Sequence, residues 1–170
     1  MAPETRGDAA LTGRLTAAGL EVRPAAPADA ARLATLSAEL GYPVRPDVLA
    51  ERLRGLLARD SEIVLVAERS PGGVVGWAHA SEQLLLESGR RCELLGLVVD
   101  AGHRGHGIGR RLVSAVEAWA LARGLGQMAV RSNVTRAESH PFYERLGYTR
   151  VKTQHSYRKR LGEDPTTGPA

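Results

Sequence analysis

The run Arg104-Gly105-His106-Gly107-Ile108-Gly109-Arg110-Arg111 joins an apolar stretch to an amphipathic one. A loop of that composition aims successive backbone N–H groups at whatever lies above the following helix N-terminus, which makes an anion site. Its glycines let a pyrophosphate approach the main chain, and Arg104, Arg110 and Arg111 bring charge to meet it or a 3′-phosphate. A P-loop is excluded because no Gly-Lys-Ser/Thr follows. The dinucleotide fingerprint fails because the spacing is Gly-x-Gly-x-Gly and no βαβ unit with a later ribose-binding acid is visible. A glycine-rich turn without a ligand is the plain alternative. Cys92 is the only cysteine, so neither an intrachain disulfide nor a cysteine-built zinc site can form. The histidines at 79, 103, 106, 140 and 155 lack metal-ligand spacing apart from the loop pair, so no metal is expected, and His106 reads as a solvated loop residue.

A second group lies downstream. Asn133 precedes a helical segment that closes with His140-Pro141-Phe142-Tyr143-Glu144-Arg145-Leu146-Gly147-Tyr148. With the loop, this resembles the GNAT N-acetyltransferase superfamily. The family's pyrophosphate pattern Gln/Arg-x-x-Gly-x-Gly/Ala is met by Arg104, Gly107 and Gly109. Its later motif, an Asn followed by Phe-Tyr-x-x-x-Gly-aromatic, is met at 133 and 142–148. The resemblance covers roughly residues 20 to 161. It implies acetyl-coenzyme A as cosubstrate, transfer of the acetyl group to a primary amine by direct attack in a ternary complex, and homodimerisation as a common state.

An amine resembling Lys has a pKa of about 10.4 and arrives protonated, so attack on the thioester requires a base. By resemblance the base is Glu93; the alternatives are an ordered water, with Glu93 an edge carboxylate paired to Arg90 or Arg91. The family's strand beside the cofactor transfers to Leu97, Val98 and Val99, whose backbone would hold the pantetheine arm and face the developing oxyanion, with Gly96 marking a bulge that splays the strand. The phosphate loop would comprise Arg104, Gly105, His106, Gly107, Ile108, Gly109 and Arg110. Tyr143 matches the family's acid for the leaving thiolate, and Asn133 would contact the pantetheine or order a water; a packing aromatic and a turn residue are the plain alternatives. Cys92 as an acyl carrier has no evident base partner and should point to the opposite strand face from Glu93.

The elements that must position these groups follow from periodicity. Leu20 to Arg23 reads as a strand, Pro27 to Leu40 and Pro46 to Arg59 as helices, Glu62 to Glu68 and Val74 to Ser81 as a hairpin, and Cys92 to Asp100 as a third antiparallel strand after a turn at Glu87 to Arg91. Ile108, Leu112, Ala115, Val116 and Trp119 line a helix that stops at Gly124, and Met128 to Arg131 is a short strand. The last helix begins either with a Thr135/Glu138 capping box or with Pro141 at its first position, and ends at Gly147. Tyr148 to Leu161 has room for two closing strands. The order β-α-α-β-β-β-α-β-α-β-β is an α/β or α+β fold with a mixed, largely antiparallel sheet flanked by helices. One domain, 20–161, is expected between loose tails at 1–19 and 162–170.

The excess of 23 Lys+Arg over 19 Asp+Glu is too small for the basic stripe of a nucleic-acid binder, and no stretch reaches the roughly 18 apolar residues of a membrane helix. Without a secretory-type apolar N-terminus the protein is expected in the cytoplasm. The resemblance implies that substrate choice is set by the first two helices and the closing strands, here around Glu39, Tyr42, Arg45, Asp47, Trp77, His79, Glu82 and the segment 152–157. Glu39, Asp47 and Glu82 could draw a cation or simply be solvated surface charges. A small-molecule amine leads; a protein N-terminus or lysine, and a catalytically silent coenzyme A sensor, are the other readings.

Overall fold

The computed structural model describes residues 19–133 and 139–162. They fall into two compact units divided between Arg131 and Ser132. The tail before residue 19, the Thr135/Glu138 pair and the residues after 162 lie outside the described residues.

The first unit is built on a five-stranded sheet in sequence order: β1 (Leu20–Pro24), β2 (Glu62–Arg69), β3 (Gly73–Leu85), β4 (Gly89–Val99) and β5 (Met128–Val130). All neighbours are antiparallel except β4 and β5. Helices α1 (Ala30–Glu39) and α2 (Pro46–Leu57) cover one face, where Leu33, Leu36 and Leu53 pack with Val64, Val66, Val98 and Trp77. Alternation along β3 sends Gly76 to the other face, where a side chain there would meet Leu112 of α3 (Ile108–Ala122). The apolar stripe of α3 buries Leu112, Val113, Val116 and Trp119, each fully sequestered large side chain contributing about 1.5–3 kcal/mol. Gly124, at φ +72°, closes α3: its N–H donates to Leu121 O and that of Leu125 to Ala120 O, the double bond of a left-handed cap. Arg23 forks onto Asp29 at 2.8 and 2.9 Å and reaches Glu68 at 2.7 Å, tying β1 to the turn that opens α1.

Four elements differ from the sequence expectation. The β3–β4 hairpin is longer at both strands, running to Leu85 and resuming at Gly89, because the Glu82 carboxylate is clamped by Arg90 at 2.7 Å and by Arg123 at 3.0 Å across the extension. The first helix is preceded by a separate 3-10 turn at Pro27–Asp29. In the second unit, α4 (Ser139–Arg145) starts two residues before Pro141, which is tolerated because the first helical N–H groups have no intrahelical acceptor. Its end before Gly147 is as expected. No strand is present among the described residues 148–162, and Val151, Tyr157 and Leu161 are exposed. With only Tyr148, Val151, Tyr157 and Leu161 in a strongly polar stretch, nothing there specifies a register.

The bulge expected at Gly96 is present one residue earlier. His79 opposes Gly96 while Ala80 opposes Leu94, so Leu95 is the extra residue. Gly96 is held to glycine by packing: a Cβ there would lie 2.6 and 2.8 Å from ring atoms of Trp77. Gly96→Ala should therefore destabilise the fold by about 1–3 kcal/mol, read as a lower urea midpoint with unchanged slope. A wild-type midpoint would show that the indole is free to move.

Candidate active site

The pairing of β4 with β5 covers only Cys92 to Leu94. From Leu95 to Val99 the strand keeps β3 as its neighbour and, among the described residues, has no strand on its other edge. The outward backbone groups of Leu97, Val98 and Val99 are thus available to an extended ligand, in the manner of an added β-strand. One is already used: Val99 O accepts from Arg104 Nε at 3.1 Å.

Immediately beyond, the chain turns into the glycine loop. Gly105 and Gly107 stand at φ +79° and +75°, and Gly107 is the N-cap of α3 without any side-chain cap bond. The first in-helix bond is made by Arg111 N to Gly107 O, so the N–H groups of Ile108, Gly109 and Arg110 have no protein acceptor among the described residues. His106 folds its ring back so that Nδ1 meets Arg104 O at 2.8 Å, and its side chain is exposed. Arg104 and Arg110 are exposed and Arg111 is partly so. Free donors, a helix dipole and guanidinium groups in one loop suit a pyrophosphate, and a coenzyme A thioester would supply an activated acyl group on the β4 side of it.

Asp100 builds this loop. One oxygen accepts from Gly102 N at 3.0 Å and meets His103 Nδ1 at 2.9 Å; the other binds Arg32 of α1, which also donates to Val74 O at 2.9 Å. Glu39 of α1 adds a bond from Ala101 N at 3.2 Å. His103 and Arg32 pull the Asp100 carboxyl down to about 2. A depressed carboxyl contributes above its ordinary range near 3.8 and loses that contribution only as pH falls through about 2, so the loop stays pinned throughout the working range of an enzyme. Asp100→Ala should raise the KM for acetyl-coenzyme A by roughly tenfold with little change in kcat, since it removes hydrogen bonds that hold the loop and no reacting group. An unchanged KM would show that the loop holds itself.

Glu93 is 4% exposed and lies on the α1/α2 face of β4. Its two oxygens are held separately, by Arg91 at 3.0 Å and Arg131 at 2.8 Å. Of the two arginines expected as ion-pair partners, Arg91 is one, whereas Arg90 instead binds Glu82. Arg131 was missed because it reaches Glu93 only through the parallel register that sets Ala129 opposite it. Cys92 is buried, and burial together with the charges of Glu82 and Glu93 pushes its thiol up to about 11, so no thiolate is present near neutrality. Of the acidic residues considered for attracting a cation, Glu82 is neutralised by two arginines, Asp47 pairs with Arg45 at 3.1 Å, and Glu39 holds Ala101.

In the second unit Tyr143 is half-buried on α4, its ring edge-on to Phe142 at 5.0 Å and to Tyr148 at 5.8 Å. Asn133 is exposed, and its backbone oxygen meets His140 Nε2 at 3.2 Å. Among the described residues no group of His, Cys, Asp and Glu could hold a metal, and no helix is long and apolar enough to cross a membrane.

A sheet parted beyond Leu94 and a donor-rich loop at the head of α3 define an acetyl-coenzyme A-dependent N-acetyltransferase. The family model of the acetyltransferase (GNAT) family matches residues 30–148, and the chain belongs to that family. Among its relatives are an aminoglycoside N(6′)-acetyltransferase type 1 of Klebsiella aerogenes, 34% identical over 116 residues (66% of this chain, 76% of that protein), and one of Stenotrophomonas maltophilia, 31% identical over 131 residues (75% and 84%). A solved aminoglycoside N-acetyltransferase in complex with coenzyme A shares the fold with a TM-score of 0.75 at 22% identity, over 84% of this chain and 95% of that one.

Proposed function

We propose that this protein acetylates a primary amine of a small polycationic molecule, with aminoglycosides the leading class, by direct attack of the amine on bound acetyl-coenzyme A. The observation that carries the reading is the edge of β4 from Leu95 to Val99, without a strand partner among the described residues, running straight into the donor-rich loop before α3. The curated relatives support the acceptor class. In this reading the backbone of Leu97, Val98 and Val99 holds the pantetheine arm and polarises the thioester carbonyl. Arg104, Gly105, His106, Gly107, Ile108, Gly109 and Arg110 take the pyrophosphate, Asn133 contacts the pantetheine, and Tyr143 protonates the departing thiolate. Glu93 was the sequence's candidate base. Its two guanidinium partners support the other role, a carboxylate that fixes Arg91 and Arg131, since taking a proton there would break an ion pair in a buried setting. A cytoplasmic homodimer completes the proposal.

The test is kcat/KM for thiol release across aminoglycosides, polyamines, amino acids and peptides. The highest value should fall on a small polyamine-like or aminoglycoside acceptor. Preference for peptides would move the substrate to proteins, and cofactor binding without turnover of any amine would replace the enzyme with a sensor.

A further inference from the structure

The α1/α2 face of the sheet carries a polar row that the reaction above does not use. Glu62 of β2, Ser81 of β3 and Glu93 of β4 stand opposite one another across three strands. His79, two residues before Ser81 and so on the same face, reaches diagonally to Glu62: its Nε2 lies 2.9 Å from Glu62 Oε2. The other Glu62 oxygen accepts from Ser81 Oγ at 3.0 Å, and Ser81 is fixed in turn by Gln83 Nε2 at 2.9 Å. The Glu62 side chain is 12% exposed and that of His79 is 21% exposed, so the carboxylate is sequestered while part of the ring reaches solvent.

An ionised carboxylate can only accept, so the nitrogen facing Glu62 carries the proton and Nδ1 is left with its lone pair. Nδ1 has no protein hydrogen-bond partner among the described residues. The cross-strand partner of His79 is Gly96, which puts no side chain beside the ring and lies one residue before Leu97 to Val99. Groups facing His79 are Glu62 from β2 and, one step along β4, Glu93 neutralised by Arg91 and Arg131; no ion pair or hydrogen bond links it to a charged residue of α1 or α2 among the described residues. An imidazole oriented by one buried carboxylate and open at its other nitrogen is the arrangement of a general base.

We propose that His79, positioned by Glu62, is the base that takes the proton from the acceptor amine. This rests on the acetyl-transfer reading above. The ammonium form of the acceptor first loses one proton to solvent; the neutral amine nitrogen then bonds to the thioester carbonyl carbon and gives one of its two N–H protons to His79 Nδ1. The C–S bond breaks, the electron pair leaves on sulfur, and the thiolate is protonated by the acid assigned to Tyr143. His79 then returns its proton to solvent, and Tyr143 takes one back from solvent.

The experiment compares wild type, His79→Gln and Glu62→Gln with the best acceptor from the amine panel, following kcat against pH, calorimetric acetyl-coenzyme A binding and melting. His79→Gln should lose roughly a hundredfold or more in kcat and the rising limb of the pH profile, with cofactor affinity kept. Glu62→Gln, which preserves shape, should retain the limb but move its midpoint to lower pH, because it removes the anion that favours the imidazolium. This second variant decides the matter if the first does not fold. A His79→Gln enzyme with wild-type kcat and pH profile, or a Glu62→Gln limb that stays in place, overturns the proposal alone. Wild-type enzyme that turns over no amine overturns both it and the reading on which it rests.

Discussion

Gly107→Glu is expected to lower the affinity for acetyl-coenzyme A at least a hundredfold while leaving a folded protein. Two effects combine. Gly107 sits at φ +75°, where a residue with a Cβ costs roughly 1–2 kcal/mol. The carboxylate would also stand at the head of α3, beside the three N–H groups proposed to receive the pyrophosphate, and both repel it and compete for its donors. Steric collapse is not the cause, because the nearest atom to a Cβ there is an Arg110 guanidinium nitrogen at 3.9 Å. Gly107→Ala separates the two effects: it carries the backbone cost without the charge and should lose no more than about tenfold. Titration calorimetry with acetyl-coenzyme A reads both variants. Unchanged affinity in Gly107→Glu would remove the loop from the cofactor site.

The second large effect is on kcat. Tyr143→Phe should reduce it by roughly 10²-fold, with KM for acetyl-coenzyme A little changed. The ring packs against Phe142 and Tyr148 by its edges, and phenylalanine keeps those contacts, so what is lost is the hydroxyl. Coenzyme A would then leave as an unassisted thiolate. The deficit should shrink with acyl donors whose thiols are more acidic, since a better leaving group needs less proton assistance. Full kcat at every pH would leave Tyr143 a packing aromatic.

The parts of this account that were legible in the sequence are those set by local chemistry. Glycines at 107, 124 and 147 mark the cap of α3, its end and the end of α4 because a positive φ is decided by the residue that adopts it. The apolar stripe of α3 follows from a period that needs no partner, and β2 is marked by its continuous β-branched run, buried from Ile63 to Ala67. What was not legible depends on register. Arg131 meets Glu93 only because β5 pairs in parallel with β4 over three residues, and Glu62 meets His79 only because β2 and β3 pair as they do. Neither pair has a characteristic spacing, so Arg91 is legible as a partner of Glu93 but Arg131 is not, and nothing local joins His79 to Glu62. The bulge was displaced by one residue because Gly96 is small for the sake of Trp77, while the inserted residue is Leu95. The closing strands expected over 148–161 rested on length alone.

The central claim is that the acetyl group passes from sulfur to an amine nitrogen. It is tested most directly by NMR of carbonyl-labelled acetyl-coenzyme A incubated with the protein and the preferred amine. The account predicts that the thioester carbonyl signal is replaced by an amide signal at the rate of thiol release, and only when the amine is present. Conversion to free acetate, or a thioester signal that persists with every amine, would contradict it.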